Sequence, residues 1–357
     1  MMKIVQVVTQ MESGGAQRVA MLLHEAFLNQ GYDAEVWFLY LKRPTYKNFP
    51  RVKVLLAHNP LGLDYFKILS DLQSWLRAHQ PDVFITHTHY ANVIGQIIAR
   101  LCSIPRRIAV QHNPVQTYPK IAKWADWILG STAFYSTNIA VSQVVVDSVI
   151  NYPEVYRKIL IKIYNGIPLL ECQNSRLQVR SQLGLLENTP LLVNVGRLAR
   201  QKNQATLIEA ILHLPEAHLL LVGEGELRDE LQKKVTKLGL DKQVHFLGEL
   251  KHEDVLILLS ASDVFVFPSL YEAMPMALVE AMGLGLPVVA GDIPAMREVL
   301  GDAGIIVPSN SAEEIASAVQ QVLNSSELAN SMSNCSLERA KVFSIEKMVE
   351  SYEQIFS

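Results

Sequence analysis

The chain has 357 residues, of which 49% are apolar and 19% are charged. This length suggests two domains of ordinary size, and the apolar fraction is sufficient for two packed cores. The formal net charge of −3 at pH 7 argues against a broad nucleic-acid surface, which would require a clear basic excess.

The first half of the chain alternates short apolar runs with segments of helical period. Runs rich in β-branched residues predict strands at residues 4–9, 34–41, 52–57, 83–86, 107–111 and 138–141. Apolar residues at helical spacing predict helices at 16–29, 65–78 and 92–102. Strands that read as continuous apolar runs are buried on both faces, and crossover helices make a sheet parallel. We therefore predict a doubly wound α/β domain.

The alternation then starts again after an irregular polar stretch at residues 166–190, which we interpret as the linker. Strands are predicted at 191–195, 218–222, 244–247, 264–267, 287–290 and 304–307, and helices at 204–213, 312–323 and 345–356. The predicted fold class is α/β, with two doubly wound Rossmann-like domains facing each other across a cleft. Open α/β sheets bind ligands beyond the carboxyl ends of their strands, so chemistry is expected in the loops that follow strands.

Cysteine use and hydropathy indicate the compartment. Cys102, Cys172 and Cys335 are widely spaced and form no C-x-x-C pair, which favours a reducing cytoplasm over a disulfide framework or a zinc site. No apolar stretch approaches the roughly 18 residues that span a bilayer, so we expect a soluble or peripheral protein.

The densest chemical signal lies at residues 268–283, directly after a predicted strand. Pro275 suits the first turn of a helix, whose free amides and dipole attract an anion. Glu272 lies just before that helix and Glu280 lies inside it, in a segment that is otherwise apolar or small. A buried carboxylate requires a partner, and sugar hydroxyls would supply one. The alternative is a solvated helix residue at Glu280 and a capping acid at Glu272.

A second signal is the basic pair Arg197 and Lys202, which also follows a predicted strand. Arginine offers a rigid fork for phosphate oxygens and lysine a point charge, so the two together suit a diphosphate. The alternative is a solvated loop with ordinary surface charge.

Glycine-containing turns follow several other strands. Gly14 and Gly15 come after the first strand, where glycine lets the backbone approach a ligand and the next helix presents its amides. This is not the G-x-G-x-x-G fingerprint, so no dinucleotide site is indicated. Weaker signals of the same kind occur at residues 165–168 and 222–225.

Three histidines are expected at the carboxyl ends of neighbouring strands in the first domain: His87, His89 and His112. The H-x-H spacing is compatible with a metal site, but no cysteine or carboxylate lies close by in sequence to complete one. We therefore interpret two of the three as hydrogen-bonding or packing residues.

Taken together in chain order, these motifs resemble the family 4 retaining glycosyltransferases, which have the GT-B fold. The resemblance covers almost the whole chain. It depends on Gly14-Gly15, the Asn165–Pro168 turn, Gly196-Arg197-Leu198 with Lys202, the Val222–Gly225 turn, and Glu272 with Glu280 eight residues later.

The resemblance implies a domain organisation and a set of site residues. An N-terminal acceptor-side domain would span residues 1–168, a donor-binding domain residues 169–344, and the final helix at 345–357 would return to the first domain. Arg197 and Lys202 would hold the donor diphosphate, Glu280 the nucleotide ribose and Glu272 the donor sugar. The full implied donor set is Gly14, Gly15, Arg197, Lys202, Glu272, Ala273, Met274, Pro275, Met276 and Glu280.

The resemblance also implies the reaction. A sugar would move with retention from a nucleotide-sugar, a UDP-sugar being favoured, to a glycan or lipid-linked acceptor in cell-surface polysaccharide synthesis. The catalytic residues would be Arg197, Lys202 and Glu272, with His112 near the reacting carbon. No Asp-x-Asp motif is expected, and neither a metal nor a cofactor is implied. One departure is Ala273, where the family often has glycine.

Other readings are kept open. Nucleotide-sugar epimerases and sugar phosphorylases also use two such domains, and a protein that binds a nucleotide-sugar without turnover is a third alternative. Peripheral membrane contact on the cytoplasmic side is suggested by Lys42-Arg43, Arg106-Arg107 and the pair Trp124 and Trp127. The opposing interpretation, that both tryptophans belong to the core, is slightly favoured by sequence.

Overall fold

The computed structural model describes residues 1–170 and 176–356, so Cys172 lies outside the described residues. The chain divides into two compact units. Unit 1 comprises Met1–Pro168 and the chain from Ser344 onward, and unit 2 comprises Leu169–Phe343. None of the helices in the described ranges is long and apolar enough to cross a bilayer.

Unit 1 contains a seven-stranded parallel sheet in the order β3-β2-β1-β4-β5-β6-β7. Its strands are β1 (Lys3–Met11), β2 (Asp33–Leu41), β3 (Val52–Leu56), β4 (Val83–His87), β5 (Arg106–Gln111), β6 (Thr137–Ala140) and β7 (Leu160–Lys162). The helices between them are α1 (Gly15–Asn29), α2 (Asp64–His79), α3 (His89–Leu101), α4 (Lys120–Ser131), α5 (Gln143–Ser148) and α6 (Glu154–Lys158).

The two faces of this sheet are covered by different helices. Residues of α2 and α3 share one buried cluster with Val5, Val7 and Phe84, whereas α1 packs against Val8 and Val36 on the other face. The predicted strands are all present. β7 was not predicted; it is a three-residue edge strand, and its short apolar run is interrupted by the exposed Lys162.

Unit 2 contains a six-stranded parallel sheet in the order β10-β9-β8-β11-β12-β13. Its strands are β8 (Leu191–Val195), β9 (His218–Val222), β10 (Val244–Gly248), β11 (Val264–Phe267), β12 (Val288–Gly291) and β13 (Ile305–Val307). Its helices are α7 (Arg176–Gln182), α8 (Gln204–Ile211), α9 (Arg228–Leu238), α10 (His252–Ala261), α11 (Met276–Gly283), α12 (Pro294–Leu300), α13 (Ala312–Asn324) and α14 (Ser326–Ala340). The predicted fold class of two doubly wound parallel sheets is confirmed.

The polar stretch interpreted as an irregular linker contains the helix α7, so that interpretation is wrong over Arg176–Gln182. Arg180 of α7 is only 1% exposed and donates to Oδ2 of Asp263 at 2.8 Å, while Arg176 donates to Oδ1 at 2.6 Å. Asp263, which lies more than 80 residues away in sequence, thus stabilises this helix. A pattern of neighbouring residues cannot predict such a contact.

The last helix, α15 (Ile345–Phe356), belongs to unit 1 and packs on α1. The Phe27 ring lies 5.6 Å from that of Phe356 and 6.3 Å from that of Tyr352. The backbone reaches this place through a close crossing at Gly166, where a Cβ atom would lie 2.5 Å from the carbonyl oxygen of Ser344. The glycine of the 165–168 turn is therefore required by packing.

Candidate active site

The predicted site residues of unit 2 lie on the loops that follow β8 and β11, which are neighbours in the sheet, and on α11, which follows the second of these loops. The loop after β8 carries Arg197 and leads to Lys202, which ends a short 3-10 turn. The loop after β11 carries Glu272 and leads into α11. Parallel strands bring both loops to the same carboxyl edge.

Lys202 and Glu272 form an ion pair at this edge. Nζ of Lys202 lies 2.6 Å from Oε1 of Glu272, and both side chains are mostly buried. The ammonium also lies 4.7 Å from the ring centroid of Phe267, and its methylene chain passes over Gly196. The interpretation of Glu272 as a helix-capping acid is wrong, since its carboxylate is engaged by a cation from a different loop.

The two loops are also joined by hydrogen bonds that place Lys202. The Leu270 amide donates to the carbonyl of Gln201 at 2.8 Å, and Nε2 of Gln201 donates to the carbonyl of Tyr271 at 2.8 Å. Asn203 has a left-handed backbone with φ of 54°, and its side-chain amide donates to the carbonyl of Ser309 at 2.6 Å. Asparagine tolerates this conformation better than most residues, so it suits the sharp turn directly after Lys202.

The glycines of the 222–225 turn have a packing role. Gly223 has a φ of 133°, and a Cβ there would overlap the carbonyl oxygen of Gly196. A Cβ on Gly225 would likewise overlap the carbonyl oxygen of Leu198. These contacts allow the Gly196 amide to donate to the Val222 carbonyl at 2.9 Å, which holds the loop that carries Arg197.

Glu280 is only 5% exposed, so its interpretation as a solvated helix residue is wrong. It lies in the second turn of α11, and its Oε1 is 3.8 Å from Nε2 of His252. Sequence reasoning did not identify His252. The signal that was available is that His252 begins the helix after β10, at the same edge of the sheet.

Arg197 is not drawn into this cluster. Its side chain is 71% exposed and pairs at 2.9 Å with Glu226, which follows the neighbouring strand β9. The structure therefore brings Lys202 and Glu272 together and leaves the guanidinium of Arg197 in solvent.

The segment that joins Glu272 to α11 is buried at Ala273, Met274 and Pro275. Pro275 lies one residue before the first helical residue, Met276, rather than in the first turn as predicted. Proline offers no side chain to cap the helix amides. Ala273 is not among the described residues with positive φ, so alanine is accommodated there without backbone strain.

In unit 1, Gly14 and Gly15 lie where β1 meets α1. Gly14 precedes the helix with extended backbone, and Gly15 is the first helical residue. A Cβ on Gly15 would meet no atom within 4 Å. Packing within unit 1 therefore does not require glycine at this position, unlike at Gly223.

His87 and His112 form a buried hydrogen-bonded pair at the ends of β4 and β5. Nδ1 of His87 lies 3.0 Å from Nε2 of His112, and Nε2 of His87 lies 3.0 Å from Oε1 of Gln6. The amide nitrogen of Gln6 donates to the carbonyl of Ala20, so its oxygen faces His87. His87 must then donate through Nε2 and accept through Nδ1, which makes Nε2 of His112 a donor and leaves its Nδ1 as an acceptor.

Burial keeps this pair neutral. It lowers the pKa of His112 to about 4 and the pKa of His87 well below its ordinary value, with His112 as a second cause for His87. His89 lies apart as the first residue of α3, with its ring 5.0 Å from that of Tyr118. Gln6 was missed by sequence reasoning, although a lone polar residue inside an apolar strand was an available signal.

Comparisons with known proteins agree with this architecture. The family model "Glycosyltransferase Family 4" matches residues 13–169, and "Glycosyl transferases group 1" matches residues 175–339. The Escherichia coli UDP-Gal:alpha-D-GlcNAc-diphosphoundecaprenol alpha-1,3-galactosyltransferase is 28% identical over 318 residues, covering 84% of this chain and 81% of the relative. The amylovoran biosynthesis glycosyltransferase AmsD of Erwinia amylovora is 24% identical over 350 residues, covering 97% and 96%.

A solved structure shows the same fold. The crystal structure of Anabaena HepE in complex with UDP and glucose superimposes with a TM-score of 0.87 at 22% identity, covering 99% of each chain. The first family model covers most of unit 1 and the second most of unit 2, and the short gap between them falls next to the boundary of the units. The chain belongs to the family 4, group 1 glycosyltransferases of the GT-B fold and is itself a glycosyltransferase.

Proposed function

We propose that this chain is a retaining, metal-independent glycosyltransferase that uses a nucleotide-sugar donor, with a UDP-sugar favoured. The observation that carries the proposal is the ion pair between Lys202 and Glu272. It unites a cation suited to a diphosphate with an acid suited to sugar hydroxyls, at the edge where open α/β sheets bind ligands.

The pair is chemically matched to both halves of a donor. A lysine ammonium has three donor hydrogens, so Lys202 can keep its bond to Glu272 and still donate to a phosphate oxygen. An ionised carboxylate has about four acceptor positions, so Glu272 retains capacity for sugar hydroxyls. The partial burial of both groups strengthens these interactions relative to water.

The remaining donor contacts are proposed from the positions of the residues. Glu280 would accept hydrogen bonds from the ribose, and backbone groups from Ala273 to Met276 would meet the sugar and phosphate at the start of α11. The guanidinium of Arg197 would leave Glu226 and turn to the diphosphate. The amides of Gly14 and Gly15 would add a phosphate contact.

In the proposed reaction, the bond between the sugar and the diphosphate breaks with positive charge developing at the sugar. Lys202 and Arg197 stabilise the negative charge of the leaving group, a task that a divalent cation performs in other transferases. The acceptor hydroxyl attacks from the face that the diphosphate leaves, and a phosphate oxygen takes its proton. The configuration at the sugar carbon is then retained. His112 is proposed as the residue near the reacting carbon, where its Nδ1 could accept a hydrogen bond from a sugar hydroxyl.

The names of the relatives favour a donor and an acceptor class. The Escherichia coli relative is named for UDP-Gal and for a diphosphoundecaprenol-linked sugar, and the Erwinia relative for amylovoran biosynthesis. The HepE structure contains UDP and glucose. On this basis we propose a glycan or lipid-linked acceptor, cell-surface polysaccharide synthesis as the role, and the cytoplasm as the place of reaction.

The first test is thermal unfolding with UDP-, GDP- and ADP-sugars, each with and without EDTA. A ligand that binds only the folded state raises the unfolding temperature. We expect a shift with a UDP-sugar that EDTA does not change and that Glu280→Ala reduces. A shift that EDTA abolishes would contradict metal independence.

The second test follows the released nucleoside diphosphate with a panel of lipid-linked and free glycan acceptors. Release that depends on acceptor supports transfer. Conversion of the donor into an epimeric nucleotide-sugar without net release of diphosphate indicates an epimerase, and a requirement for inorganic phosphate indicates a phosphorylase. Donor binding with neither conversion nor release indicates a binding protein. The anomeric configuration of the product, read by NMR against that of the donor, tests retention.

A further inference from the structure

Helix α4 of unit 1 exposes four large apolar side chains on one face: Ile121, Trp124, Trp127 and Ile128. Trp124 is 66% exposed and Ile121 is 87% exposed. The two indole rings touch edge to face with centroids 5.9 Å apart. The expectation that both tryptophans are core residues is therefore wrong. A contiguous exposed apolar patch of this kind marks an interaction surface.

The opposite face of α4 prevents the helix from turning these residues inward. Asp126 on that face is buried and accepts hydrogen bonds from the hydroxyls of Tyr135 at 2.9 Å and Tyr156 at 2.7 Å. Gly130 lies so close under the Tyr156 ring that a Cβ there would overlap it. Because the rotation of the helix is set by these contacts, the apolar face is a fixed feature of the surface.

The exposed side of α4 carries only positive charge. Lys120 is exposed and Lys123 is partly exposed, and both lie beside the tryptophans on the helical wheel. The single acid of the helix, Asp126, is buried on the other side. Charge complementarity therefore favours an anionic partner.

The residue combination favours lipid over protein. Lysine is depleted in the cores of protein–protein interfaces, whereas tryptophan and lysine occur together at bilayer interfaces, the indole at the headgroup level and the ammonium reaching to the phosphates. We propose that the α4 surface, defined as Lys120, Ile121, Lys123, Trp124, Trp127 and Ile128, seats unit 1 on an anionic lipid bilayer.

A second group of exposed apolar side chains, Leu61, Leu63 and Phe66, lies at the start of α2. The helices α2 and α4 follow the carboxyl ends of β3 and β5, so both groups lie toward the same edge of the sheet. The basic pair at 106–107 is not part of this surface. Arg107 lies at the amino end of β5, at the opposite edge of the sheet. Its guanidinium donates to the carbonyls of Ile104 and Phe134 and so holds these loops together.

The test is flotation of the full chain with vesicles of phosphatidylcholine alone or mixed with phosphatidylglycerol. We expect flotation with the anionic vesicles, and about a tenfold or larger loss of partitioning for Lys120→Glu with Lys123→Glu. Trp124→Ala with Trp127→Ala should reduce partitioning by a similar factor. The matched control is Lys233→Glu with Lys237→Glu on α9, an exposed lysine pair of unit 2, which should float like the parent.

Three results would overturn the proposal: no flotation of the parent, equal flotation of all variants, or binding that ignores lipid charge. The competing occupant of the surface is a second copy of the chain, which sedimentation without vesicles detects. A dimer of the parent that is lost in the variant Trp124→Ala with Trp127→Ala would assign the surface to that second copy. The proposal does not depend on the transferase reaction. Vesicle binding with no turnover would reject the proposed function alone, and turnover with no vesicle binding would reject the α4 surface alone.

Discussion

In unit 1 the carboxyl ends of β4 and β5 hold two buried neutral histidines, whereas in unit 2 the loops after β8 and β11 hold a lysine–glutamate ion pair. Both edges come from the same parallel, doubly wound topology. Their difference shows that topology sets where a site lies and side chains set what it binds. A charged edge suits an ionised diphosphate, and a neutral edge with directed hydrogen bonds suits hydroxyl groups.

The glycines at the two edges also differ: packing requires Gly223 in unit 2 but does not require Gly15 in unit 1. Substitution of Gly223 has the largest expected effect on stability. Gly223→Ala places a Cβ against the Gly196 carbonyl at a φ that L-residues rarely adopt. We expect the free energy of unfolding to fall by on the order of 3–4 kcal/mol. Urea titration of the full chain measures this. An unchanged midpoint would show that the two loops can separate without cost.

The charged edge is tested by Lys202→Ala. Loss of a preorganised cation should raise the transition-state free energy by about 3 kcal/mol, roughly a hundredfold in turnover. The control is Lys233→Ala, an exposed lysine on α9, which should retain parental turnover. Near-normal turnover of Lys202→Ala, measured at saturating donor, would remove the ion pair from the proposed mechanism.

The neutral edge predicts a pH dependence of stability. The pKa of His112 is about 4 in the folded chain and about 6.5 when unfolded, so the unfolded state binds more protons as the pH falls. The free energy of unfolding should therefore be highest above pH 6.5, where His112 is neutral in both states, and should fall as the pH is lowered from 6.5 to 4. This loss is at most about 3 kcal/mol.

Denaturation of the parent and of His112→Gln across that pH range isolates this contribution. Glutamine can still donate to His87 but does not titrate, so the variant should show a flatter profile. Parallel profiles for the two proteins would show that His112 is accessible to protons in the folded chain.

The smallest expected effect is that of Gly15→Ala, the unit 1 counterpart of Gly223→Ala. A Cβ there meets nothing, and alanine favours a helix over glycine, so stability should stay equal or rise slightly. If the added methyl keeps the backbone away from a donor phosphate, we expect the KM for the nucleotide-sugar to rise about tenfold. This corresponds to a loss of about 1.4 kcal/mol of binding free energy. An unchanged KM would remove Gly15 from the donor set.

Local patterns were sufficient for most of the fold. Apolar runs predicted every strand except β7, and helical periods predicted α1, α2, α3, α8, α13 and α15 to within a few residues, since both periods depend only on neighbours in sequence. The helices α4, α9, α10 and α14 were not among the predicted segments. Local patterns failed where a distant partner decides the structure. The helix α7 is secured through Arg180 by Asp263, and β7 is a short edge strand supported by β6.

For the site, the sequence by itself determined which residues follow strands and therefore share an edge: Lys202 with Glu272 in unit 2, and His112 with His87 in unit 1. Only the tertiary structure decided their contacts. It paired Lys202 with Glu272 across 70 residues, buried Glu280, left Arg197 in solvent and turned Trp124 outward. The physical reason is that burial and pairing depend on which strands become neighbours and on how each helix is rotated, and neither is encoded in a local pattern.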